Sequence, residues 1–462
     1  MRLNNYKIKN LLQKLKSLFN KLGVIIKDSP APGRVSPLLE LASDLTKESP
    51  CSKETPLSKP TANKPIVDSL SCPYCNSQKY VRRGTRIKKY EKVQLYLCRD
   101  CGKTFTPQPT LSGKHYPLKT IFRALSLYNL GYSLEETCRA INVKSQISNL
   151  KSTAQISKPN TEKFYSLQPS TLSSWLDEFL EYTKYARMRE FAKKLMLPKD
   201  TVVTATLAHQ QLYRYRFHRA KCHLMIQEEY IHRRFKPLQE FLEFVPTECP
   251  HQYFANKEFL RASESPLTFS KKHMIVRSKQ NYATKMCSFV LQGSKDRKQR
   301  HNDVQDFFLY NDSVTVATEV PVYLTREDLE HLKTQLGFEL YTKSDGTAPE
   351  GKEISAAGGL PRLITGHIDI LQIRNGQIHI LDYKPNAAKE QPIDQLTLYA
   401  MGLSRLTGLR LFEFKCAWFD EENYFEFYPL HVLHKPRKAR RRKKVETMEG
   451  TYKVNKEFGK VK

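Results

Sequence analysis

No run of eighteen apolar residues occurs in the 462-residue chain, so no transmembrane helix and no membrane partner is expected. The N-terminus lacks the long apolar stretch and small-residue cleavage site of a secretory signal, and a cytoplasmic location is expected. No internal repeat recurs. Acidic residues are scarce: 47 Asp and Glu face 76 Lys and Arg, for a formal charge of +29. A balance that basic points to a polyanionic partner, most often nucleic acid. Cysteines number ten, yet only four fall in paired C-x-x-C and the others are scattered. A disulfide framework is therefore not expected; the distribution fits a reducing compartment and one metal site. The length suits two or three domains.

The chemistry concentrates in GHIDILQIRNGQIHILDYK, residues 366–384. Two strand-like runs flank Asn375-Gly376, a strong hairpin signal. With those residues as the loop, Arg374 faces Gln377, Ile373 faces Ile378 and Leu371 faces Ile380. Asp369 then faces Asp382 and His367 faces Lys384. Like charges placed directly opposite destabilise a sheet, so two facing carboxylates call for a divalent cation. Ile368, Ile370, Leu381 and Tyr383 make the other face apolar as well, so the hairpin reads as buried and its aspartates need a partner. The alternative is a surface hairpin with solvated charges.

An Asp, then D-Y-K about a dozen residues on, then Q-x-x-x-Y in a following helix resembles the PD-(D/E)XK nucleases. More narrowly it resembles their RecB-like branch, which includes CRISPR-associated adaptation nucleases. The resemblance covers roughly residues 245–430 and implies a restriction-endonuclease-like α/β domain around a mixed sheet. By that likeness Asp369, Asp382, Lys384, Gln395 and Tyr399 are the catalytic set. His301, in the helix-like run QGSKDRKQRHNDVQDFF, joins Asp369 and Asp382 as a ligand of Mg²⁺ or Mn²⁺. Gln395 and Tyr399 are four apart, so a helix places them on one face. Glu319, in the following strand TEVPVYL, is a weaker candidate, since a single Glu in an edge strand is usually just solvated. Some RecB-like nucleases carry an iron–sulfur cluster that begins with C-P, as Cys249-Pro250 does here. Such a cluster needs four thiolates, but only Cys287 and Cys416 follow, so none is expected.

Upstream, Cys72, Cys75, Cys98 and Cys101 have the spacing of a four-thiolate Zn²⁺ site. The stretch, with Phe105 at its end, is similar to the zinc ribbons at the front of many transposases. After it, HYPLKTIFRALSLYNLGYSLEETCRAINVKS reads as two helices, the second opened by a capping box at Ser133–Glu136. LQPSTLSSWLDEFLEY adds an apolar face of Leu172, Trp175, Leu176 and Phe179. Together these segments look like a helix-turn-helix with Ser170, Thr171, Ser173 and Ser174 on its recognition helix. The departure is a long polar insertion at 143–168. Residues 180–245 read as further helix whose basic residues, Arg214 and Arg216 among them, either contact nucleic acid or form a solvated face, with His209 and His218 as polar core or surface.

The expected organisation is multidomain α+β. A basic helix and linker (1–70) precede a zinc ribbon (71–110) and a helical DNA-binding region (111–245). A nuclease domain (246–434) and a basic disordered tail (435–462) follow. The expected activity is metal-dependent hydrolysis of DNA. A DNA-binding regulatory or transposition-related protein with an inactive nuclease scaffold, or a nuclease acting on RNA, remains as the alternative.

Overall fold

The computed structural model describes residues 71–106 apart from 89 and 91, 114–152, 166–269 apart from 229, 276–342 apart from 295, 360–433, and three short strands between 446 and 455. The expected N-terminal helix and linker, the 343–359 loop and the KPRKARRRKK run lie outside the described residues. No helix among the described residues is long and apolar enough to cross a membrane.

Strands β1 (Tyr80–Ile87), β2 (Lys92–Cys98) and β3 (Thr104–Phe105) form a three-stranded antiparallel sheet. Each C-x-x-C is a tight turn: Asn76 N donates to Cys72 O at 2.8 Å and Gly102 N to Cys98 O at 3.1 Å. Asn76 and Gly102 have φ of +57° and +68°, a conformation that Asn and Gly adopt at little cost. Tyr80, Tyr96 and Phe105 supply a small aromatic core beside the cysteines.

Helices α1 (Leu118–Asn129), α2 (Leu134–Ser152) and α3 (Pro169–Glu178) pack together. The capping box is present, with Glu136 N bonded to Ser133 Oγ at 3.1 Å and Ser133 N to Glu136 Oε2 at 2.8 Å. Leu172, Trp175 and Phe179 are buried, and Ser170, Ser173 and Ser174 are exposed.

Residues 202–218, expected to be helical, are instead a β-hairpin. After α4 (Ala186–Leu195), β4 (Val202–His209) pairs with β5 (Gln211–His218). Val202, Val203, Thr204 and Thr206 favour strand, and Tyr213, Tyr215 and Phe217 alternate with Leu212, Arg214 and Arg216 at strand period. The interleaving of basic and aromatic residues had this period-2 cause. Arg216 is 2% exposed and ion-paired with Asp306, so it is not a nucleic-acid contact; Arg214 is half-buried.

The chain continues through α5 (Arg219–His223), α6 (Lys236–Glu248), α7 (His251–Ala255) and β6 (Leu260–Arg261). Strand β7 (Leu267–Thr268) pairs with a later β10 (Tyr341–Thr342) as a separate ribbon. Next come β8 (Val276–Lys279), α8 (Tyr282–Leu291), α9 (Arg297–Asn311), β9 (Thr315–Thr325) and α10 (Arg326–Thr334). Beyond β10 lie β11 (Leu363–Arg374), β12 (Gln377–Tyr383), α11 (Ile393–Thr407), β13 (Phe414–Phe419), β14 (Tyr424–Phe427) and α12 (Pro429–Leu433). Strands β15 (Glu446–Thr447) and β16 (Gly450–Thr451) pair with each other, and β17 (Lys453–Asn455) pairs with β8. The end of the chain is thus not wholly disordered as expected: an edge strand offers unpaired backbone groups that a short segment can satisfy.

Ten strands share one mixed sheet, in the order β17-β8-β14-β13-β12-β11-β9-β5-β4 with β6 also against β11. In β11–β12, Ile373 pairs with Ile378 and Leu371 with Ile380, and Asn375 and Gly376 have φ of +52° and +70°. Both turn residues are left-handed, as a two-residue type I′ loop requires. Strand β13 runs parallel to β12, with α11 as the crossover. Cys416 Sγ meets the Leu396 carbonyl at 3.4 Å, whereas the Phe419 ring lies 5.6 Å from that of Phe308. Side chains alternate along a strand, so α11 and α9 cover opposite faces.

The helical region is not a separate body. Phe122 of α1 lies 4.9 Å from Phe289 of α8 and 5.0 Å from Phe307 of α9, and Asn129 bonds Asn311 at 2.8 Å. No boundary at 245 divides the packing, because the sheet already begins at 202.

Lys221 ties α5 to the same core. Its Nζ donates to the carbonyls of Leu309 (2.8 Å), Asp312 (2.5 Å) and Thr315 (2.7 Å). Lys221→Met removes all three donors, and each orphaned buried carbonyl costs about 1–3 kcal/mol. The expected outcome is a clear fall in the denaturant midpoint; an unchanged midpoint would mean that water takes over the three acceptors.

Candidate active site

Glu319 lies midway along β9, Asp369 on β11, Asp382 near the end of β12 with Lys384 just past it, and His301 on α9. One ligand atom each from His301, Glu319 and Asp369 lies within 4.8 Å of the others. His301 Nε2 is 3.1 Å from Asp369 Oδ2, which also accepts the Tyr383 amide at 3.2 Å. Lys384 Nζ sits 3.2 Å from Asp382 Oδ2. Asp382 is 3% exposed and Glu319 9%, so three carboxylates crowd a poorly solvated space.

That crowding separates their protonation. Burial, and then the Asp369 charge, raise Asp382 well above the usual carboxylate range. Burial also opposes the charge on Asp369, but His301 and a hydrogen bond from Asp382 bring it down to about 2. Burial and Asp369 push Glu319 up to about 7. For His301 burial works against the imidazolium, yet Asp369 and Glu319 raise it to about 9. A buried anionic cluster of this kind suits a bound cation, because a divalent ion supplies the charge that single protons now supply. An imidazole with carboxylate oxygens is a donor set for Mg²⁺ or Mn²⁺.

From the sequence, Glu319 is the weaker candidate, expected to be solvated in an edge strand. Strand β9 instead runs between β11 and β5, with Thr318 opposite Ile370 and Arg216. Its φ of +54° is left-handed, a conformation that costs a non-glycine residue about 1–3 kcal/mol and occurs most often at functional sites. Gln305 Nε2 holds Glu319 Oε1 at 2.6 Å, and Arg216 reaches Gln305 at 3.4 Å. A Glu between β-branched neighbours in a buried run was the available signal.

Gln395 and Tyr399 stand on one face of α11, joined by a 2.8 Å hydrogen bond. Tyr399 presses on the backbone of β11: a Cβ at Gly366 would come within 2.3 Å of its ring. Only glycine admits that approach. The four ribbon cysteines also converge, with sulfur pairs Cys72–Cys101 and Cys75–Cys98 at 3.6 and 3.5 Å.

Residues 247–425 match the family model of the PD-(D/E)XK nuclease superfamily. Members of that superfamily are generally phosphodiester-hydrolysing enzymes that use divalent metals. No curated protein matches the chain, and no solved structure does. The nuclease-superfamily stretch contains all five of His301, Glu319, Asp369, Asp382 and Lys384. It leaves out β4 and β5, which nonetheless complete its sheet.

Proposed function

We propose that the protein is a metal-dependent nuclease of the RecB-like kind that hydrolyses DNA. The observation that carries this reading is the convergence of His301, Glu319 and Asp369 beside the Asp382–Lys384 pair. His301, Glu319, Asp369 and Asp382 would hold Mg²⁺ or Mn²⁺. Such an ion would supply Lewis-acid polarisation of the phosphate and ease deprotonation of the attacking water. Burial lowers the Lys384 pKa, but Asp382 and Asp369 outweigh it and raise the net value, so the side chain stays an ammonium. Its role is to stabilise charge developing on the phosphate and to orient the water, not to accept a proton. Gln395 and Tyr399 position the strand.

The ribbon and helices are the DNA-targeting part in this reading, with Zn²⁺ as the ion of the four cysteines. Arg82, Arg83 and Arg86 are exposed along β1, and Ser170, Ser173 and Ser174 along α3. These side chains suit phosphate and base contacts respectively.

The test is incubation with linear and circular, single- and double-stranded DNA and with RNA, in Mn²⁺ or EDTA. DNA cleavage in Mn²⁺ and none in EDTA is expected. Cleavage of RNA alone moves the substrate class. Binding without any cleavage by folded, metal-loaded protein replaces the enzyme with a DNA-binding protein on a nuclease scaffold.

A further inference from the structure

A third group of donor atoms converges, separate from the carboxylate group and the ribbon cysteines. His209 ends β4 beside the turn at Gln210, whose φ is +56°. Cys249 and His251 flank Pro250 where α6 passes into α7. One ligand atom from each of His209, Cys249 and His251 lies within 4.8 Å of the others, and His209 Nε2 is 2.8 Å from His251 Nδ1. The nuclease chemistry uses none of the three.

We propose that His209, Cys249 and His251 form a third metal site, selective for Zn²⁺ or an ion of similar softness. Two imidazoles and one thiolate are borderline-to-soft donors, and no carboxylate belongs to the group, so Mg²⁺ is disfavoured. Three protein ligands leave the fourth position of a tetrahedral ion to water.

The surroundings of His209 favour coordination. A metal-ligating His ordinarily gives its other ring nitrogen to a fixed partner, which sets the tautomer. His209 Nδ1 lies 2.8 Å from His367 Nε2, so a proton on Nδ1 frees the Nε2 lone pair for an ion. The His209 ring is stacked on Phe254 at 4.3 Å and 16°, and the His367 ring on Tyr213 at 3.6 Å and 8°. Neither ring can turn without breaking a stack. Access grades outward: His209 is buried, Cys249 half-buried and His251 exposed, so an ion enters from solvent. The site ties β4 to the α6–α7 junction and, through His367, to β11 two residues before Asp369.

Metal content of the 462-residue chain tests this. Zinc per chain is measured after exhaustive dialysis for the wild type, His251→Ala and Cys249→Ser. Each variant is expected to hold one equivalent less than the wild type. His251 is exposed, so its replacement does not threaten the fold. As an independent reading, Co²⁺ is added to chains in which Cys72, Cys75, Cys98 and Cys101 are all replaced by Ser, first with Cys249 kept and second with Cys249→Ser. The first should show thiolate-to-cobalt absorption that the second lacks, and the carboxylate site contains no thiolate to imitate it. Equal zinc in all three proteins, or identical cobalt spectra, overturns the proposal and leaves a metal-free chain of hydrogen-bonded imidazoles. Nuclease activity plays no part in either reading, so the proposal and the proposed enzyme function fail separately.

Discussion

The 462-residue chain carrying Asp369→Asn should lose the proposed Mn²⁺-dependent DNA cleavage by at least ~10²-fold, the scale for removing one preorganised electrostatic group. The amide has the same shape as the carboxylate and can still accept the Tyr383 N–H, so the fold should persist. What disappears is the charge that His301 and an incoming cation both require. Glu319→Gln is the sharper companion. The Gln305 hydrogen bond can survive in it, so packing changes little while the ligand charge is lost. If Glu319 holds metal, cleavage falls by about tenfold or more and Mn²⁺ affinity drops with it, as expected when a metal site loses a supporting group. Lys384→Met should reduce cleavage while Mn²⁺ affinity is kept. Wild-type cleavage by a folded Asp369→Asn chain would remove the assignment entirely.

Cutting the chain between residues 245 and 246 is expected to destroy both halves. The C-terminal piece would lose β4 and β5, leaving Ala317 and Thr318 without the backbone partners Phe217 and Arg216. It would also uncover Phe289, which now stacks on Tyr182 at 4.0 Å and meets Phe122 at 4.9 Å. A buried aromatic side chain hides about 150–250 Å², worth roughly 4–6 kcal/mol at 25 cal/mol per Å². Several such rings exceed the usual net stability of a domain, about 5–15 kcal/mol. Aggregation, or a non-cooperative thermal transition, is the expected result for residues 246–434. A chain beginning at residue 114 keeps helices α1 to α3 and both strands, and should unfold cooperatively. Soluble, monomeric 246–434 with a sharp transition would show that the helices only decorate a self-sufficient nuclease fold.

The sequence alone determined the elements whose cause is local. Asn375-Gly376 set both the turn and the register of β11 and β12, because both residues accept positive φ. Ser133 and Glu136 announced the start of α2, since a capping box needs only the four residues it spans. The Cys72/Cys75 and Cys98/Cys101 spacing announced two tight turns for the same reason. Asp369, Asp382 and Lys384 were legible once the register was known.

Tertiary structure decided what depends on distant partners. Basic residues among the aromatics hid the strand period of 202–218, and only pairing with β9 shows that the segment belongs to the sheet. Glu319 followed from the same decision. With β5 absent its strand has an edge and its carboxylate can be solvated. With β5 present the carboxylate is enclosed beside His301 and Asp369, and Arg216 turns inward toward Asp306 and Gln305. His209, Cys249 and His251 span 42 residues, a separation over which periodicity carries no information and only folding brings donor atoms together.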